Sequence, residues 1–142
     1  MPERNFTCGK LAPPEGGSRD TEDRMTDREW WTSLLATVDA KDVPGFLGYL
    51  TDDAEFRFGN GPSVEGREAV GALVEGFLGA IGGTKHVLTR HWDGEHSAVG
   101  EGVVTYTRLD GTTLTLPFVN VFDLREGRIS RYLIYIDNRD LF

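Results

Sequence analysis

Apolar residues recur at helical spacing through much of the first half of the chain and at every second position through the rest. Trp31, Leu34, Leu35 and Val38 fall on one helical stripe, and Thr26 or Asp27 stands where a side-chain oxygen caps a first turn. The stripe breaks at "DAKD". Asp42 can cap a second, short helix with Pro44 in its first turn and Phe46, Leu47 and Leu50 on its apolar side. In "TDDAEFRF" the period drops to two. Ala54, Phe56 and Phe58 alternate with charged residues, the pattern of a half-buried strand, and "GNGP" ends it. "EGREAVGALVEGFLGAIGG" returns to helical spacing, with Val70, Leu73, Val74, Phe77, Leu78 and Ile81 in one stripe. Its glycines lower intrinsic helicity, so packing must hold it.

From Thr84 onward every segment reads as strand. "KHVLTRHW", "SAVGEGVVTYTRL", "TTLTLPFVNVFDL" and "RISRYLIYID" are separated by "DGEH", by the Asp110-Gly111 hairpin signal and by "REG". Three helices followed by hairpin-linked strands predict an α+β fold, a cone-shaped, mostly antiparallel sheet curled around the helices. Such a sheet leaves a hollow at its wide end, a natural small-molecule pocket. Residues 1–25 are rich in Pro, Gly and charge and bury too little to offset their ordering entropy, so a flexible tail is expected there. Residues 26–142 are expected to form one domain.

One position disturbs the pattern. In "LPFVNVFDL" every second residue from Leu116 is Leu116, Phe118, Asn120, Phe122, so an amide sits in the middle of an apolar face. A buried amide without partners costs roughly 1–3 kcal/mol. A neighbouring side chain such as Tyr106 or Tyr132, a buried water, or a bound molecule must satisfy Asn120.

Composition narrows the classes of function. The net charge of −8 opposes binding to phosphate backbones and anionic lipids. No apolar run approaches the roughly 20 residues of a spanning helix. The N-terminus has no secretory pattern, so a cytoplasmic location is expected. The single cysteine, Cys8, forms no intrachain disulfide and no cysteine metal motif. No histidine pair has helical i, i+4 spacing and no phosphate loop is present, so neither a metal nor a cofactor is expected.

The segments "VDAKDVPGFLGYLTDDAEFRF", "VEGREAVGALVEGF" and "PFVNVFDLREGRISRYLIYID" resemble the nuclear transport factor 2-like (NTF2-like) superfamily, and within it the SnoaL-like polyketide cyclase group. The resemblance covers about residues 27–137. It implies a cone-shaped sheet enclosing a pocket and pairing of two copies through the sheet. It does not imply one chemistry, because the superfamily holds isomerases, cyclases, dehydratases, epoxide hydrolases and binding modules. The Asp-Arg-Asp array of limonene epoxide hydrolases falls on Gly102, Val104 and Ile134, and is absent. The base of ketosteroid isomerases falls on Phe58, while their oxyanion-hole acid falls within a residue or two of Asn120. Scytalone dehydratases place an Asp and a His where Asp39 and His86 stand, but their second His has no counterpart in residues 97–106.

His86 is the candidate proton carrier, since an imidazole ordinarily titrates near ~6.5. By alternation it shares a strand face with Leu88, Arg90 and Trp92. If that face is concave, His86 and Arg90 look into the pocket, and Arg90 favours an anionic or enolate-forming substrate. His91 then points away and His96 sits in a turn, both at the surface. Asp39 would orient His86 or act as a second base, and Asn120 would hold a substrate oxygen. Each has a structural alternative: a backbone-bonded histidine, a rim salt bridge for Arg90, a helix-turn cap for Asp39. Tyr106, Tyr132, Val104 and Ile134 face the pocket by the resemblance. Phe56, Phe58, Phe77, Trp92, Phe118 and Phe122 are expected to line or back it.

These residues point to a small apolar, aromatic or polyketide-like substrate and to cofactor-free proton transfer in a cyclisation, isomerisation or dehydration. The alternatives are a binding or dimerisation module without catalysis, and an epoxide-opening enzyme with a non-standard acid. The outward residues Val119, Val121, Leu133 and Tyr135 are too apolar for water, so a homodimer through the sheet is expected.

Overall fold

Asp42 does what its position promises. Its carboxylate accepts the Gly45 N–H at 3.0 Å and caps α2 (Val43–Leu47), which follows α1 (Asp27–Asp39) after the left-handed residue Lys41 (φ 56°). The computed structural model describes residues 27–142, so the expected tail, Cys8 and a cap at Thr26 lie outside the described residues. Contacts divide the chain into residues 1–30 and 31–142, and only the opening turn of α1 is described in the first part.

Within residues 31–142 the stripe of α3 (Arg67–Gly79) buries Val70, Val74 and Leu78. Six strands form one sheet: β1 (Leu50–Phe58), β2 (Val64–Glu65), β3 (Gly83–Asp93), β4 (Ser97–Thr107), β5 (Thr113–Arg125) and β6 (Arg128–Tyr135). Their order is β2-β1-β6-β5-β4-β3. β3 to β6 pair antiparallel, whereas β1 joins β6 in parallel. Helices followed by this mostly antiparallel sheet are the α+β arrangement expected. The strand β2 is new: two residues are too few to show a period.

The hairpins follow local chemistry. Glu126 (φ 54°) and Gly127 (φ 80°) form the two-residue left-handed turn between β5 and β6, whose backbone matches the strand twist. The core is aromatic: Trp31 stacks on Phe122 at 4.7 Å, and Phe122 meets Tyr132 at 4.4 Å. No helix among the described residues is long and apolar enough to cross a membrane.

One irregularity decides which side chains face inward. β3 pairs with β4 in register up to Leu88↔Gly102, but the next pair is Arg90↔Glu101, so Thr89 is an extra residue, a β-bulge. Gly102 permits it. A Cβ there would overlap the carbonyl oxygen of Val87 and lie 3.1 Å from Leu88 Cα. Beyond Leu88 the faces of β3 exchange. His91 pairs with Gly100, which pairs with Asn120, on the inner face. Arg90 and Trp92 align with Glu101 and Val99 on the outer face.

Candidate active site

Asp39 ends α1, whose last turn carries no basic residue. A carboxylate at a helix C-terminus meets the negative end of the helix dipole. Its stabilisation comes from β3 instead. His86 Nδ1 stands 2.6 Å from Asp39 Oδ1, the His86 backbone N–H donates to Oδ2 at 2.9 Å, and Thr84 Oγ1 donates to Oδ1 at 2.7 Å. Burial alone would raise the Asp39 pKa. The hydrogen bonds from the His86 ring, from its main chain and from Thr84 outweigh that and hold it below its ordinary value. An ionised carboxylate only accepts, so Nδ1 carries the proton and Nε2 of a neutral His86 is left with its lone pair. No protein group among the described residues bonds that Nε2.

The sign of the Asp39 shift sets a pH dependence. A carboxyl group held below its unfolded value contributes stability that is present above that value and is lost as pH falls through the folded one. The acid limb of a thermal-unfolding series should therefore steepen below the ordinary 3.8, and Asp39→Asn should flatten it. An unchanged limb in the variant contradicts the assignment.

His86 opens on a cavity of about 140 Å³ lined by Phe46, Phe56, Phe58, Phe77, Val104, Tyr106, Phe118, Asn120, Tyr132 and Ile134, with Val38, Leu73, Val74, Leu78, Thr84 and Ile136. The Phe118 ring stands edge-on to His86 at 5.4 Å. Asn120 is 2% exposed, and its Oδ1 has no hydrogen-bond partner. The oxygen of the amide that breaks the apolar face of β5 therefore bonds neither Tyr106 nor Tyr132, nor any other group among the described residues. Burial pushes the phenols of Tyr106 and Tyr132 up, so both stay protonated and act only as neutral donors or acceptors. Among the described residues no three His, Cys, Asp or Glu side chains gather to hold a metal ion.

A buried amide oxygen left unpaired costs about 1–3 kcal/mol, whereas an apolar group of the same shape costs nothing comparable. Asn120→Leu is expected to raise unfolding stability by about 1 kcal/mol in denaturant titrations while weakening ligand binding. A loss of stability with unchanged binding would make Asn120 structural.

His86, Asp39, Asn120 and eight of the ten expected substrate contacts thus meet at one place. The two others do not. Arg90, 66% exposed at its side chain, bonds Glu101 at 2.6 Å and lies 5.1 Å over the ring of Trp92, itself 51% exposed. The bulge turns both outward, so no cation reaches the cavity from β3. His91, expected at the surface, is turned inward. Its side chain is 18% exposed and its Nδ1 bonds Asp93, whose other oxygen accepts the Trp31 indole N–H at 2.8 Å. Phe122 backs the cavity through Trp31 and Tyr132 rather than lining it. Thr84 was missed by the sequence reading, although it sits two residues before His86 and so on the same face. The bulge itself had a signal in "VGEGV", since glycine inside a strand marks a bulge or a close backbone approach.

The profile of the SnoaL-like domain family matches residues 31–132, and the chain belongs to that family. An NTF2-like protein of unknown function from Burkholderia pseudomallei is similar in structure, with a TM-score of 0.73 and 19% identity over 82% of this chain and 95% of its own. TerC, crystallised with polyporic acid, matches with a TM-score of 0.70 and 22% identity over 80% of this chain and 93% of its own. A Pseudomonas putida protein provisionally described as a polyketide cyclase gives a TM-score of 0.70 and 23% identity over 83% and 96%. At these identities the likeness is one of fold. No functionally curated protein matches the chain.

Proposed function

We propose that the chain is a cofactor-independent enzyme of proton transfer on an apolar, enolisable small molecule, carrying out a cyclisation, isomerisation or dehydration. The observation that carries the reading is the pairing of an oriented imidazole with an unpartnered amide in one apolar cavity. His86 Nε2 takes a proton from carbon next to a carbonyl, and the C–H electron pair moves into the enolate. The charge developing on oxygen is met by the Asn120 amide N–H or by a tyrosine hydroxyl. Asp39 positions His86 and stabilises the imidazolium. Returning the proton to another carbon completes an isomerisation. Attack of the enolate carbon on a second carbonyl, whose π pair moves to its oxygen and takes the proton back from the imidazolium, completes a cyclisation. Loss of a β-hydroxyl, protonated by the imidazolium, completes a dehydration. The test is solvent deuterium entering the α-position of enolisable ketones in the presence of the wild-type protein, followed by proton NMR. No incorporation across ketones that demonstrably bind would favour a binding module of the same fold.

The same proposal includes a homodimer through the outer sheet face. Val119 and Val121 lie there with exposed Val87, Trp92, Val103 and Tyr135, apolar residues around the Arg90–Glu101 ion pair that suit burial against another sheet, whereas Leu133, expected to face water, is 7% exposed and already covered. Light scattering at micromolar concentration should give twice the chain mass, and Val121→Glu should return the monomer. A wild-type monomer would refute this.

A further inference from the structure

We propose that the molecule this cavity accepts is neutral and built on a single six-membered ring, with a carbonyl or hydroxyl oxygen for Asn120 and no ionised acid group. The inference rests on the reading of the cavity as the substrate site and narrows it.

Size is the first argument. The cavity holds about 140 Å³. An apolar protein cavity of about 150 Å³ takes up one benzene molecule. A fused two-ring system needs roughly half as much again, so part of it would project through the open side of the cavity into water. The walls are rings packed on rings: Phe58 meets Phe77 at 4.8 Å, and Phe77 meets Tyr106 at 6.0 Å. Such a wall yields little without repacking.

Charge is the second. Among the described residues no Arg or Lys lines the cavity. The bulge in β3 has turned Arg90 outward, where Glu101 holds it. Beside the cavity, behind the imidazole, stands the Asp39 carboxylate, which is negative. A ligand carboxylate would enter an apolar space with no Arg or Lys of the described residues to pair with and a like charge behind the imidazole. The polar side chains that line the space are hydrogen-bonders: the Asn120 amide, the two phenols, the imidazole and the Thr84 hydroxyl. They suit a carbonyl or hydroxyl oxygen.

Position is the third. His86 lies in the sheet row of Val104 and Leu116, Asn120 in the row of Gly100 and Ile134. The rows are four residues apart along β4, about 13 Å at the rise of an extended strand. The two groups therefore enter the cavity from different rows of the sheet.

The probes are cyclohex-2-enone and phenol, with benzoate as the anion of similar size and 2-naphthol as the neutral two-ring molecule. Binding to the full-length protein is measured by calorimetry at pH 7. The one-ring neutral probes are expected to saturate a single site at least ten-fold more tightly than benzoate or 2-naphthol, and Asn120→Leu to weaken them at least five-fold with an unchanged circular dichroism spectrum. Benzoate, 2-naphthol or polyporic acid binding as tightly as the one-ring probes overturns the proposal. So does the absence of saturation by either one-ring probe. Binding of cyclohex-2-enone without exchange of its C6 protons leaves this assignment standing and counts against proton transfer on that ketone. Exchange in a two-ring or anionic ketone does the reverse.

Discussion

His86→Ala is expected to lower kcat/KM about 10²–10⁴-fold, the contribution of a positioned general base, and to leave the fold intact. The fold survives because two of the three hydrogen bonds to Asp39 do not need the imidazole. The main-chain N–H of residue 86 remains on Oδ2 and the Thr84 hydroxyl remains on Oδ1. The side chain removed is 13% exposed and leaves its space to the cavity it already borders. Rates of deuterium exchange into a turned-over ketone, compared with melting curves of the same protein, measure both halves of the claim. Asp39→Asn should reduce the rate less and move the pH midpoint of kcat, because Asp39 acts through the imidazole and touches no substrate. Full turnover by His86→Ala would remove the proposed mechanism.

Gly102→Ala should be the most damaging small substitution in the sheet, costing about 3 kcal/mol or more. Overpacking typically costs 1–3 kcal/mol when side chains can shift. Here the obstacle is main chain, the Val87 carbonyl and Leu88 Cα, which yields only if the bulge is undone. Undoing it would also return Arg90 and Trp92 to the inner face and expel His91, so both stability and site would suffer. Gly76→Ala on α3 is the control. Nothing lies within 4 Å of the added methyl, and replacing glycine in a helix should stabilise by up to about 1 kcal/mol. Denaturant midpoints of the two variants moving in opposite directions would bear this out. Equal shifts would show that the bulge is not held by Gly102.

The sequence made some of the site legible. Asp39 ends a helix with no base in its last turn, and Asn120 interrupts an apolar strand face. Both break a local rule, and such breaks are expected where function is built. The alternation in β5 and β6 correctly put Phe118, Asn120 and Tyr132 on one face because neither strand shifts register between those residues. In β3 the same reasoning failed after Leu88. Alternation assumes one residue opposite one residue, and the count is broken by a glycine on a different strand, thirteen residues further along the chain than Thr89.

Taken alone, the order of amino acids determined the elements, their sequence along the chain and the α+β class, and marked an amide on an apolar strand face. These depend on period, capping and turn chemistry, which act over a few neighbours. Tertiary structure alone decided that Asp39 bonds His86 forty-seven residues away, that Asn120 Oδ1 has no partner among the described residues, and that Arg90 is turned away from the cavity. Those outcomes depend on which strands lie side by side and in what register. A single extra residue in β3 exchanges the two faces of everything that follows it in that strand.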